Sequence, residues 1–190
     1  MAKKTTHDAD DLQAVAEVLR GNAEAYRDIV KRHQQTVFRL SNSFLGNRED
    51  AKDATQEIFA KAYRLLHTFS LDKRFLPWLY TVTMNQLRTM YGRRRRFRDE
   101  EEFMELQDDT YTPAEEVVRN DQRRLIRSAV RELSPPVREV VTLYYLHEMS
   151  VEEVSTVLGI SKENVKSRLF RGRKSLRRLL DDAATADDES

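Results

Sequence analysis

Apolar residues recur at three- and four-residue intervals along most of this 190-residue chain, and that spacing marks one face of an α-helix. It restricts the fold more than any other feature of the sequence. From Tyr26 the series runs through Val30, His33, Val37, Leu40 and Phe44. A second helix is opened by Asn47, with Glu49 and Asp50 in its first turn, where carboxylates meet the positive end of the helix dipole. It carries Ala51, Ala54, Ile58, Ala62 and Leu65 on one side. A third helix, from about Lys73, aligns Phe75, Leu79, Val82, Gln86 and Met90. Its stretch RFLPWLYTVT has the aromatic and β-branched composition of a strand, but Pro77 inside the run and the continuing spacing favour helix. A short helix over 11–19, ended by Gly21, precedes these. Only five glycines occur in the whole chain, which leaves little material for hairpin turns.

Further along, the basic run 93–96 and the stretch 99–109 have no sustained apolar period and read as linker. Thr112 and Pro113 then form an N-cap and first-turn proline for a helix through Leu133. Ser134 with Pro135 starts another, to about His147. Ser150 with Glu153 is a capping box for a short helix ending at Gly159, and Ser161 caps the last, basic one. The expected fold is all-α, with two small helical domains joined by an acidic linker. The expected boundaries are a tail at 1–10, a first domain at 11–96, a linker at 97–112, a second domain at 113–180 and a disordered acidic tail at 181–190.

Charge is segregated along the chain as well. The 33 Lys and Arg against 32 Asp and Glu give a net charge of only +1, which by itself argues against a polyanionic partner. By segment the net is +8 over 1–98, −9 over 99–122, +7 over 123–180 and −5 over 181–190. Two basic modules separated by an acidic connector are each able to meet a phosphate backbone, although solvated helix faces of uneven charge would look alike. The chain has no Cys, which excludes a disulfide scaffold and any thiolate zinc site and fits a reducing cytoplasm. Its four His, at positions 7, 33, 67 and 147, stand singly and without metal-ligand spacing, so no metal or cofactor is expected. No apolar run approaches the roughly 18 residues of a membrane span, and the N-terminus lacks the apolar stretch of a signal peptide.

The segment SVEEVSTVLGISKENVKSRLFRGRKSLRRLL has the spacing of a helix-turn-helix. Ser155 is small where two helices cross, Gly159 lies in the turn, and Val154, Leu158, Ile160, Val165 and Leu169 supply the buried side of the corner. The second helix of such a motif enters the major groove by its N-terminal half. Here that half presents Lys162, Glu163, Asn164, Lys166, Ser167 and Arg168, followed by Arg171, Arg173 and Lys174. Arg and Asn read base edges, while Lys and Ser more often hold phosphates. A plain amphipathic hairpin is the blander reading. In the first basic block, aromatic and cationic residues interleave: Phe59, Lys61, Tyr63, Arg64, Phe69, Phe75, Trp78, Tyr80, Arg88 and Tyr91. Rings for stacking and cations along a groove are what single-stranded DNA requires, and the loop FSLDKRF could hold a flipped base. Taken singly, Phe59, Trp78 and Tyr80 read better as core.

The chain resembles a bacterial group 4, or extracytoplasmic-function (ECF), RNA polymerase sigma factor of the sigma-70 family. Four stretches carry the resemblance in the family's order and spacing: GNAEAYRDIVKRH, NREDAKDATQEIFAKAYRLLHTF, FLPWLYTVTMNQLR and LSPPVREVVTLYYLHEMSVEEVSTVLGISKENVKSRLFRGRKSL. The resemblance implies that 11–96 is sigma region 2 and 113–180 is sigma region 4. It implies that Asp50, Asp53, Gln56 and Glu57 dock on the coiled coil of the polymerase β′ subunit, a carboxylate-rich patch suited to a basic surface. Lys61, Tyr63, Arg64, the loop 70–75 with Phe75, then Trp78, Asn85 and Arg88, would melt and read the −10 element as single strand. Ser161, Lys162, Asn164, Lys166, Ser167, Arg168, Phe170, Arg171 and Lys174 would read the −35 element as duplex. The implied partners are core RNA polymerase, through the β′ coiled coil and the β flap, promoter DNA, and an anti-sigma factor that could hold the protein at the inner membrane face. The linker would thread the polymerase cleft.

Three positions depart from the family's habit: Ser155 and Gly172 stand where alanine is commoner, and Asn164 where threonine is. Gly172 is expected to cost about 1 kcal/mol against alanine and to soften its helix. No fused regulatory module is expected. Two other classes share parts of the pattern. A stand-alone helix-turn-helix regulator would have the second domain without the docking patch or the aromatic groove. A nuclease would need more than Asp53 and Glu57, a carboxylate pair four apart that usually stays solvated or docks a partner, so no catalytic residue is assigned.

Overall fold

A computed structural model of the chain describes residues 4–98, 126 and 128–188, with side chains described over 8–92, 126 and 128–181. Every regular element among the described residues is helical, and they divide into two compact units.

The first unit contains α1 (Lys4–Leu19), α2 (Tyr26–Leu45), α3 (Arg48–Leu65) and α4 (Phe75–Arg98), with 3-10 turns at Ala23–Ala25 and Leu66–Thr68. Its core is built from Val15, Ile29, Leu40, Phe44, Ala51, Ala54, Ile58, Ala62, Leu66, Phe75, Leu79, Met84 and Leu87, each 1% exposed or less. On α2 the inward series is Ile29, His33, Val37, Leu40 and Phe44, so Ile29 replaces Val30, which is only half-buried. On α4 the expected row Phe75, Leu79 and Val82 is buried, while Gln86 and Met90 are half-buried and Met84 and Leu87 complete the core. Phe59 and Tyr80 are core residues, at 6% and 7% exposure.

Both ends of this unit extend further than the apolar pattern indicates. α1 begins at Lys4, within the stretch expected to be tail, because its inner face is held partly by carboxylates. Asp11 is 1% exposed and accepts from Arg32 and from His33 Nε2, the latter 2.9 Å from each oxygen. A buried carboxylate survives only with such partners. Gly21 ends the helix as expected, with φ +104°. α4 continues through 93–96, expected to be linker, as far as Arg98.

The second unit contains α5 (Pro135–Val141), which runs on into a π-helical turn (Thr142–Leu146), then α6 (Val151–Leu158) and α7 (Lys162–Asp188). Most of the helix expected from Pro113 lies outside the described residues; 128–132 are helical. Both halves of the capping box at α6 are formed, and Gly159 closes the helix in the left-handed region at φ +65°. Ser161 Oγ accepts from the Asn164 N–H at 3.2 Å and starts α7. α7 reaches Asp188, so 181–188, expected to be disordered, are helical.

The α6–α7 corner buries Val154, Leu158, Val165 and Leu169 of the expected set and Val157 besides, whereas Ile160, in the turn, is only half-buried. Ser155 is small, as the crossing requires, and its hydroxyl also donates to the Ile160 carbonyl at 2.6 Å, tying the turn together. Gly172 is buried where α7 crosses α5. A Cβ there would lie 2.5 Å from Val141 Cγ2 and 3.2 Å from Val137 Cγ1. The glycine is therefore a close-packing device and not a soft point in the helix.

Candidate nucleic-acid interface

In the first unit α3 organises the expected site. Asp53, Gln56 and Glu57 are exposed at three- and four-residue spacing, hence contiguous, and Asp50 sits half-buried one turn earlier. Lys61 follows four residues after Glu57. Its Nζ donates to Gln86 Oε1 at 2.9 Å, and Gln86 Nε2 donates to Glu57 Oε2 at 2.9 Å. One amide on α4 thus bridges the carboxylate patch and the first cation. The helical spacing places Gln86 only in the apolar row, and a long polar side chain at a seam position is its one signal in the sequence.

Tyr63 is 44% exposed, but it stands towards α2, not towards α4 with Lys61. Its ring meets Tyr26 edge-on, with centroids 4.9 Å apart. Tyr26 in turn donates to the Phe59 carbonyl at 2.7 Å, and burial pushes its phenol well above the usual range. Tyr63 is thereby a braced, half-open ring. Arg64 is exposed at the end of α3. On α4, Asn85 is exposed and Arg88 half-buried, one turn apart on the helix that also carries Gln86.

Phe75 does not belong to this surface. It is 0% exposed and packs against Phe69 and Trp78, each at 5.5 Å, and against His33 at 5.8 Å. It is an anchor under the loop and has no face for a base. Trp78 is half-buried in the same aromatic group. Between Phe69 and Phe75 the loop 70–74 is exposed throughout. The Ser70 hydroxyl donates to Asp72 and holds its carboxyl below the ordinary range, while the Lys73 N–H closes a turn on the Ser70 carbonyl at 3.0 Å.

In the second unit α7 turns Ser161, Lys162, Asn164, Lys166, Ser167, Arg171 and Lys174 outward, with Phe170 at 64% exposure among them. Arg168 is half-buried and donates to the Pro136 carbonyl at 3.4 Å. Lys162 pairs with Glu152 on α6 at 2.8 Å, which lowers the Glu152 carboxyl from its ordinary range. Apart from Arg168, the expected residues are exposed and mostly cationic or hydrogen-bonding, with the exposed acid Glu163 and a large ring among them, and they are chemically suited to phosphates and base edges. Among the described residues no helix is long and apolar enough to cross a membrane.

Residues 29–97 match the family model for Sigma-70 region 2, and residues 123–176 match that for Sigma-70, region 4. The RNA polymerase sigma factor CnrH of Cupriavidus metallidurans is 31% identical over 187 residues, spanning 92% of this chain and 95% of that protein. The ECF RNA polymerase sigma factor SigW of Bacillus subtilis is 28% identical over 178 residues, spanning 88% and 95%. The solved structure of CnrH in complex with the cytosolic domain of CnrY has a TM-score of 0.69 at 29% identity, over 91% of this chain and 98% of that one. With both sigma regions matched in order and a relative above 30% identity along nearly its full length, the chain belongs to the sigma-70 family as an ECF RNA polymerase sigma factor.

Proposed function

We propose that this sigma factor directs promoter-specific initiation through three surfaces. Asp50, Asp53, Gln56 and Glu57 dock on the polymerase β′ coiled coil. Lys61, Tyr63, Arg64, Asn85 and Arg88, with the loop 70–74 and the part-open Trp78, take the −10 element as single strand. The outer face of α7, from Ser161 to Lys174, reads the −35 element as duplex, and region 4 also meets the β flap. The chain contributes binding and no catalysis, and it works in the cytoplasm.

The observation that carries this reading is the two-sidedness of α7: Val165 and Leu169 are buried, and Asn164, Lys166, Ser167, Phe170 and Arg171 all face out. CnrH has been solved with the cytosolic domain of CnrY, and by likeness an anti-sigma protein controls this chain by covering the same surfaces. Run-off transcription with core polymerase over a promoter library tests the assignment. Lys166→Ala and Arg171→Ala are expected to weaken −35 dependence, with about 1–3 kcal/mol lost for each bidentate base contact. Asp53→Ala is expected to weaken binding to core. Wild-type behaviour in all three overturns the residue assignment. Specific operator binding by the isolated protein, without core, would favour a stand-alone regulator.

A further inference from the structure

The −10 loop rests on a helix that lies outside the matched sigma region. The region 2 match begins at residue 29, whereas α1 spans Lys4–Leu19 and packs on α2, on α4 and on the 3-10 turn that leads into the loop. Two acids one turn apart on α1 make that seat. Asp11 is sunk among Arg32 and His33, and His33 touches the ring of Phe75, the buried residue that closes the loop. Asp8 Oδ2 accepts from Arg74 Nε at 2.9 Å, across 66 residues of sequence, with the side chains 23% and 46% exposed respectively. Arg74 is the last loop residue before Phe75.

We propose that Asp8 is a positioning residue for −10 selectivity: by holding Arg74 it fixes the exposed stretch 70–74 over its aromatic base. The loop begins at Phe69 and ends at Phe75, whose rings pack edge-on at 5.5 Å. Those two rings fix the ends of the loop but not the path between them. Inside the loop the Ser70–Asp72 and Lys73–Ser70 bonds are local, so they stiffen the turn without orienting it on the domain. The Asp8–Arg74 pair supplies an orientation. It also holds an arginine as a post for the loop where an unheld guanidinium would be drawn to the nearest phosphate. A site that discriminates single-stranded bases by shape needs such pre-organisation.

This inference rests on the proposed −10 role of the loop. The test uses the full chain with core polymerase, a fixed −35 element and a library randomised across the −10 element. The variants are Asp8→Asn, Asp8→Ala and the exchange Asp8→Arg with Arg74→Asp. A partly exposed ion pair is worth at most about 1 kcal/mol, so each single variant is expected to reduce the ratio of preferred to non-preferred −10 sequences by about two- to fivefold. Core affinity and −35 dependence should stay at wild-type values, and the exchange should recover part of the lost ratio. Unchanged −10 ratios in both single variants, beside a selective wild type, overturn the positioning role alone. An exchange that recovers nothing, with core affinity still at the wild-type value, shows that the pair itself does not set the ratio and also overturns it. A wild type with no −10 dependence overturns the reading of the loop itself.

Discussion

Replacing Gly172 by alanine sets two effects of known size against each other. Helix propensity favours alanine by about 1 kcal/mol in a helix interior. Against this, the added methyl would stand 2.5 Å from Val141 Cγ2 and 3.2 Å from Val137 Cγ1. Neither neighbour yields easily. Val141 is 1% exposed, belongs to a buried cluster with Val130, Leu133 and Val137 against which Leu176 packs, and as a β-branched residue in a helix has essentially one favoured rotamer. Overpacking of this kind costs about 1–3 kcal/mol, and an approach this short belongs to the upper half of that range. Gly172→Ala should therefore destabilise the second unit by about 1–2 kcal/mol net, even though alanine is the family's commoner residue. Amide hydrogen exchange over 137–146 and 165–176 reads the opening of this unit within the intact chain. Exchange through that opening should quicken by about five- to thirtyfold. Adding Val141→Ala should reverse part of the effect, because its own cavity is filled by the new methyl. Slower exchange in Gly172→Ala alone would refute the packing argument and leave propensity as the deciding effect.

Two further outcomes follow from the ion pairs. Glu152→Gln releases Lys162 from its partner at 2.8 Å, so binding of duplex −35 DNA should strengthen and its logarithmic salt slope should steepen by up to about 0.9, one added phosphate contact. An unchanged slope would mean that Lys162 makes no phosphate contact. Asp11→Asn keeps the shape but removes the charge that faces Arg32 and His33, and should cost the first unit about 1–3 kcal/mol. Trp78, the chain's single tryptophan, reports this unit by fluorescence in urea, and a midpoint equal to wild type would count against a structural role for the pair.

What could be read from the sequence was what local backbone chemistry decides. Ser150 with Glu153, Gly159 and Ser161 fall where expected because a cap or a left-handed turn is settled by four or five consecutive residues. The outer face of α7 was legible for a related reason: once Val165 and Leu169 point inward, the helical period assigns the rest. The misses depend on residues distant in sequence. α1 shows little apolar rhythm before Asp11, since Asp8 and Asp11 find their partners 66 and 22 residues away. Phe75 looked like a stacking platform because rings interleaved with cations mark a single-strand groove and equally mark a helix with one buried face. Only the tertiary fold separates Phe75, fully buried, from Tyr63, half open. Gly172 read as a flaw for want of knowing that Val141 lies against it.

The charge segregation that runs along the whole chain recurs within α3. Its first ten residues hold Glu49, Asp50, Asp53 and Glu57 against Arg48 and Lys52, a net of −2, and its last eight hold Lys61 and Arg64, a net of +2. Each half lies at the end of the helix dipole that favours its sign, so the arrangement suits the helix as well as its proposed partners. Asp53, Glu57, Lys61 and Arg64 follow at spacings of four, four and three, which keeps them on one side of the helix. Both charges thus stand along one stripe, four residues apart at the junction, as the proposed docking and −10 surfaces require. At that junction Gln86 bonds both Glu57 and Lys61. A neutral amide suits this position, since it donates to the carboxylate and accepts from the ammonium. A carboxylate there would repel Glu57, and a cation would repel Lys61. Either would break one of the two bonds that join Glu57 to Lys61 through α4.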